Sequence, residues 1–98
     1  MHSIISIVGT VLTSKENYPE WSQMIKHTLI FNELWKGVCV GDGDKEPEHP
    51  TSDKEFAIWE NKNSKGYALI AASVSEDVSR HISPFSTAFE ALQTLQEL

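Results

Sequence analysis

The chain has 98 residues, 40% of them apolar and 22% charged, with a formal net charge of −6 and a mean hydropathy of −0.29. That allows one small domain with a modest core and excludes disorder of the whole chain. Eight scattered basic residues against 14 acids argue against a nucleic-acid surface, because phosphate contacts need clustered Lys and Arg.

The N-terminal run from Ile4 to Leu12 is apolar and β-branched. It lacks the basic start of a signal peptide and falls short of the roughly 20 residues needed to cross a membrane. A short extended segment laid on the core is expected.

In "NYPEWSQMIKHTLIF", Pro19 suits a first helical position and Glu20 suits a helix N-terminus. Trp21, Met24, Ile25, Thr28 and Leu29 then recur at helical spacing, with Glu20, Gln23, Lys26 and His27 opposite. The spacing predicts an amphipathic helix over 19–31 that ends at Asn32 and Glu33. Leu34 to Val40 reads as a short helical turn or extended piece.

Residues 41–51, "GDGDKEPEHPT", form an acidic Gly/Pro loop that is expected to be mobile, with nothing to bury. Most of the charge imbalance sits near it: residues 42–60 hold seven acids and two lysines, net −5, leaving −1 elsewhere. Ser52-Asp53-Lys54-Glu55 carries the pattern of a capping box, so a long helix starts there. Phe56, Trp59, Asn63, Tyr67, Ile70 and Val74 continue it, and Gly66 is its weak point, a place where another helix can approach closely. Ser75 can cap a further helix that carries Val78 and Ile82 and stops at Ser83-Pro84.

Thr87 to Glu90 forms another capping box, followed by Ala88, Ala91, Leu92, Leu95 and Leu98 along one side. With no stop signal after it, this helix is expected to continue beyond residue 98 in a longer form. The whole predicts a single all-α domain over 1–98, a small bundle of four to five helices behind a short extended N-terminal segment.

No catalytic constellation emerges. The loop from Asp42 alternates acids as a calcium loop does, but Pro47 replaces the needed Gly at the sixth position and Asp53 the Glu at the twelfth. His2, His27, His49 and His81 lack metal-ligand spacing, and His81 is expected to be half-buried near Val78 and Ile82. No nucleophile elbow or phosphate loop is present. Cys39, flanked by Val38 and Val40, is the one cysteine, which rules out an internal disulfide and fits a reducing, intracellular and cytoplasmic setting. It is expected to be an inert, partly buried thiol. No enzyme activity, metal or cofactor is expected.

The ordered series Leu12, Asn17-Tyr18-Pro19-Glu20-Trp21, Met24, Leu29, Leu34-Trp35, Trp59-Glu60-Asn61-Lys62-Asn63, Ala68 to Val74, His81-Ile82 and Thr87 to Leu92 resembles the N-terminal Gag region of copia-type long-terminal-repeat retrotransposons. It spans residues 12 to 98. That family usually has a Gly where Lys15 stands, and often a Trp where Phe89 or Leu92 stands. The resemblance implies a helical, capsid-like domain that self-associates with other Gag chains. The zinc knuckle that binds RNA in longer family members is not among these residues, so direct nucleic-acid binding is not expected, nor is membrane binding. The alternative is a monomeric Gag-derived adaptor that holds a host protein or peptide in a groove between helices.

On this reading Trp21, Met24, Ile25, Leu29, Trp59, Tyr67, Ile70, Leu92 and Leu95 form the structural core. Leu34 and Trp35 are the expected interface anchors, since Trp is favoured at interface hot spots.

Overall fold

A computed structural model describes residues 10–84 and 86–98. It is all-α, with helices α1 (Tyr18–Phe31), α2 (Asp53–Ala72), α3 (Glu76–Ser79) and α4 (Ala88–Gln96), and 3-10 turns at Lys15–Asn17 and Asp42–Asp44. Most of the predicted extended run, residues 4–9, lies outside the described residues. Its end does lie on the core: Leu12 is fully buried and forms a single parallel bridge with Val74. Its amide donates to the Ser73 carbonyl (2.8 Å), and its carbonyl accepts from the Ser75 amide (2.9 Å).

Helix α1 starts one residue earlier than its sequence signal, so Pro19 is its second residue, still within the turn whose N–H groups lack partners. Ahead of it, Asn17 organises the chain: its Oδ1 accepts from the Thr13 and Ser14 amides, and its Nδ2 donates to the Val11 carbonyl (2.8 Å). At the other end Glu33 adopts φ +59°, unusual for a residue with a Cβ. The Glu33 amide donates to the Ile30 carbonyl (3.0 Å) and the Leu34 amide to the Leu29 carbonyl (2.8 Å). That is the Schellman pattern, and it folds Leu34 back onto the inner side of α1.

The 41–51 segment is more organised than its composition suggests. Pro47 is buried, and the His49 ring stacks on Trp59 at 4.2 Å between centroids. The Gly41 amide donates to the Lys45 carbonyl, and a Cβ on Gly41 would lie 2.9 Å from the Glu46 carbonyl oxygen, so only glycine fits. The expectation that this segment buries nothing is therefore corrected. The aromatic ring of Trp59 offers it a landing surface that local sequence could not reveal.

At the start of α2, Ser52 Oγ accepts from the Glu55 amide (3.2 Å), so half of the expected capping box forms. At α4 both halves form: Thr87 Oγ1 accepts from the Glu90 amide (3.1 Å), and Glu90 Oε1 accepts from the Thr87 amide (3.0 Å). Asn63 of α2 adds a bond across helices, its Oδ1 accepting from the Ala88 amide at 2.9 Å. A second helix thus satisfies one of the free donors of the first turn.

Gly66 marks where the elements meet. A Cβ placed there would lie 3.5 Å from Ala88 Cβ, 3.5 Å from Cys39 Sγ and 3.9 Å from Leu29 Cδ2. These are ordinary contact distances, so there is room for one methyl and no more. Gly66→Ala is expected to raise stability by about 0.5–1 kcal/mol through helix propensity. Gly66→Leu should lower it by about 1–3 kcal/mol through overpacking. Urea midpoints of the two variants on opposite sides of wild type would bear this out, and a destabilised alanine variant would refute it.

The main core joins Leu12, Trp21, Ile25, Leu29, Leu34, Val38, Cys39, Leu69, Ile70, Val74, Val78, Ile82, Ala88, Ala91 and Leu95. Trp21, Ile25, Leu29, Ile70 and Leu95, expected inside, are all in it. Trp59 is also buried, but in a separate cluster with Phe56 and His49. Tyr67 and Leu92 are half-buried against the core, and Met24 is half-buried outside it. Met24 sits at the flank of the inward face, whose centre runs through Trp21, Ile25 and Thr28. His81 is exposed, because α3 ends at Ser79 and the chain turns before His81 can reach the apolar side.

Candidate functional site

A groove of about 520 Å³ lies between α1 and α4. Helix α1 supplies Tyr18, Ser22 and Lys26 along one wall, and α4 supplies Phe89, Leu92, Gln93 and Gln96 along the other. Trp35 and Val40 of the 34–40 turn close a side, while Trp21, Ile25 and Cys39 reach it from the core.

Local folding explains why each group stands there. The turn after α1 carries Trp35 outward while Leu34 turns in. The Cys39 and Val40 amides both donate to the Trp35 carbonyl (2.8 and 3.0 Å), and the Gly37 amide donates to the Val40 carbonyl (2.7 Å). Gly37 has φ +86°, a conformation that favours glycine. Lys26 Nζ stands 5.5 Å from the centre of the Trp35 ring, a cation–π arrangement that orients the indole. Tyr18 packs on Trp21 at 5.8 Å, and burial pushes its phenol up from the usual tyrosine range.

The expected pair of interface anchors is thus divided. Leu34 is 5% exposed and belongs to the core, which corrects its assignment to a surface patch. Trp35 is half-buried and faces the groove. Sequence reasoning missed Val40, Phe89, Gln93 and Gln96 as lining residues. The signal available for three of them was the spacing Phe89, Leu92, Gln93, Gln96, a helical row beside the buried row Ala88, Ala91, Leu95.

Cys39 offers no reactive chemistry. Its side chain is fully buried, and desolvation pushes its thiol up to about 12. The unfolded thiol ionises near pH 9, so the stability stored in keeping it neutral is intact below pH 9 and is lost as pH rises toward 12. We expect the urea midpoint to fall above pH 9 by the equivalent of about 1 kcal/mol per pH unit. Cys39→Ala should flatten that slope, and an identical slope in the variant would assign the loss to other groups.

Among the described residues, no three His, Cys, Asp or Glu side chains come together to hold a metal, and no helix is long and apolar enough to cross a membrane. The side chain of every described buried polar group has a hydrogen-bond partner. What the groove presents is apolar and aromatic surface edged by the side-chain amides of Gln23, Gln93 and Gln96 and by Lys26. Comparison with known protein families, curated proteins and solved structures found no match to this chain.

Proposed function

We propose that this chain is a non-enzymatic, Gag-like assembly domain of the copia retrotransposon type, which works inside the cell by helix-mediated self-association with other Gag chains. The observation that carries this reading is the charge-poor groove between α1 and α4 with Trp35 at its edge. A half-exposed indole beside an apolar recess is the arrangement that dominates binding energy in protein interfaces. The ordered aromatic and apolar series described above supports the family. The acidic balance of the chain supports protein rather than RNA as the partner.

Sedimentation velocity over a concentration series, with circular dichroism on the same samples, tests the proposal. Discrete, reversible oligomers of a folded helical protein are expected. A folded monomer at every concentration would rule self-association out. It would leave the second reading, a monomeric adaptor, which the size of the groove favours because about 520 Å³ suits a short helical or extended peptide.

A further inference from the structure

We propose that Ser83 is a phosphorylation site, on which a proline-directed serine kinase places the γ-phosphoryl group of a nucleoside triphosphate. The site goes beyond the assembly reading and stands without it.

Ser83 and Pro84 are both exposed, in the stretch that joins α3, ending at Ser79, to α4, starting at Ala88. A kinase cleft takes its acceptor residue in extended backbone, with the hydroxyl brought to the catalytic carboxylate. Proline at the next position disfavours helical backbone at Ser83 and so favours that form. Ser83 is the only serine or threonine of the chain that precedes a proline. By contrast, Ser14, Ser52, Ser75 and Thr87 cap helical turns, their side-chain oxygens accepting from backbone amides, and Ser73 is fully buried. A phosphate at those positions would break a cap or open the core.

The Ser83 carbonyl accepts from the Tyr67 hydroxyl (2.7 Å) and from the Ser86 amide (2.9 Å). Its backbone is thus tied to α2 while the residue stays exposed, and surface hydrogen bonds of this kind cost little to open when the segment enters a cleft.

Charge favours the product. No Asp or Glu lies between Asp77 and Glu90, and Arg80 stands three residues before Ser83. Arg80 pairs with Asp77 (3.2 Å) and Glu76 (3.6 Å), but its side chain is 70% exposed, and pairs in solvent are weak. A phosphoserine brings a charge of about −2 and three acceptor oxygens, a stronger partner for a guanidinium than an exposed carboxylate. In the transfer itself, Ser83 Oγ bonds to the γ-phosphorus as the bond from that phosphorus to the bridging oxygen breaks. The nucleoside diphosphate leaves, and the serine proton passes to the catalytic carboxylate of the kinase.

The test incubates the whole 98-residue chain with ATP and a mitogen-activated protein kinase, and follows intact and fragment masses. Wild type should gain one phosphoryl group, on Ser83. Ser83→Ala should gain none, and Pro84→Ala, which keeps the hydroxyl, should react at least about tenfold more slowly because the ring that the kinase reads is gone. Both substituted residues are exposed, and circular dichroism checks that each variant stays folded. No incorporation into folded wild type, or incorporation at another residue, would overturn the site. An equal rate in Pro84→Ala would overturn the proline-directed class. So would phosphorylation of Ser83 solely by a kinase that requires arginine three residues before its acceptor, run in parallel.

Discussion

Trp21→Ala is expected to cost about 3–5 kcal/mol, a large part of the roughly 5–15 kcal/mol that holds a domain of this size together. Trp21 is fully buried where α1 crosses the end of α2. Its indole N–H donates to Ser73 Oγ at 3.0 Å, and Ser73 Oγ in turn donates to the Ile70 carbonyl at 2.8 Å. Ser73 itself is fully buried, and its carbonyl accepts from Leu12. One side chain thus ties α1, the end of α2 and the incoming N-terminal segment together. Two milder variants separate ring from hydrogen bond. Trp21→Phe keeps most of the packing and loses the bond. Ser73→Ala leaves the indole N–H buried with no acceptor, at about 1–3 kcal/mol. The double variant should cost less than the sum, because the orphaned donor is gone. Urea denaturation followed by circular dichroism reads all four, and a Trp21→Ala midpoint equal to wild type would remove Trp21 from the centre of the core.

The second large effect is expected at Trp59, and it is partly local. The Trp59 indole N–H donates to the Gly37 carbonyl at 2.8 Å, while the ring stacks with His49 at 4.2 Å and Phe56 at 5.9 Å. One residue of α2 therefore holds both the turn that presents Trp35 and the acidic segment 41–51. Trp59→Ala should lower stability by about 3 kcal/mol. It should also speed tryptic cleavage after Lys45 in the folded state, because the segment loses its support. Trp59→Phe should keep the stack and cost about 1 kcal/mol, the net value of the lost hydrogen bond. Unchanged cleavage after Lys45 in Trp59→Ala would show that the segment is held by other contacts.

Much of the secondary structure was legible because it is written in local chemistry. The Pro19 start, the Ser52, Ser75 and Thr87 caps and the spacing of Trp21, Ile25, Leu29 and Leu95 depend only on neighbours within one or two turns. The site was less legible. Leu34 and Trp35 are adjacent and both large, and their separation into core and groove follows from the left-handed backbone at Glu33, which nothing in a glutamate announces. Met24 and Leu92 belong to helical stripes, yet their burial depends on how far each helix is rotated toward its neighbours. Phe89 becomes a groove wall only because α4 packs on α2 through Ala88 at Gly66.

By itself the sequence determined an all-α chain, the helix starts, the inward faces and a surface dominated by acids, since capping, periodicity and net charge are short-range or additive properties. Only the tertiary structure decided that segment 41–51 rests on Trp59, that Asn63 caps a helix 25 residues away and that α1 and α4 leave a charge-poor groove between them. Each of these depends on the distance and rotation between elements, which are set by the packing of the whole core and carried by no single stretch of chain.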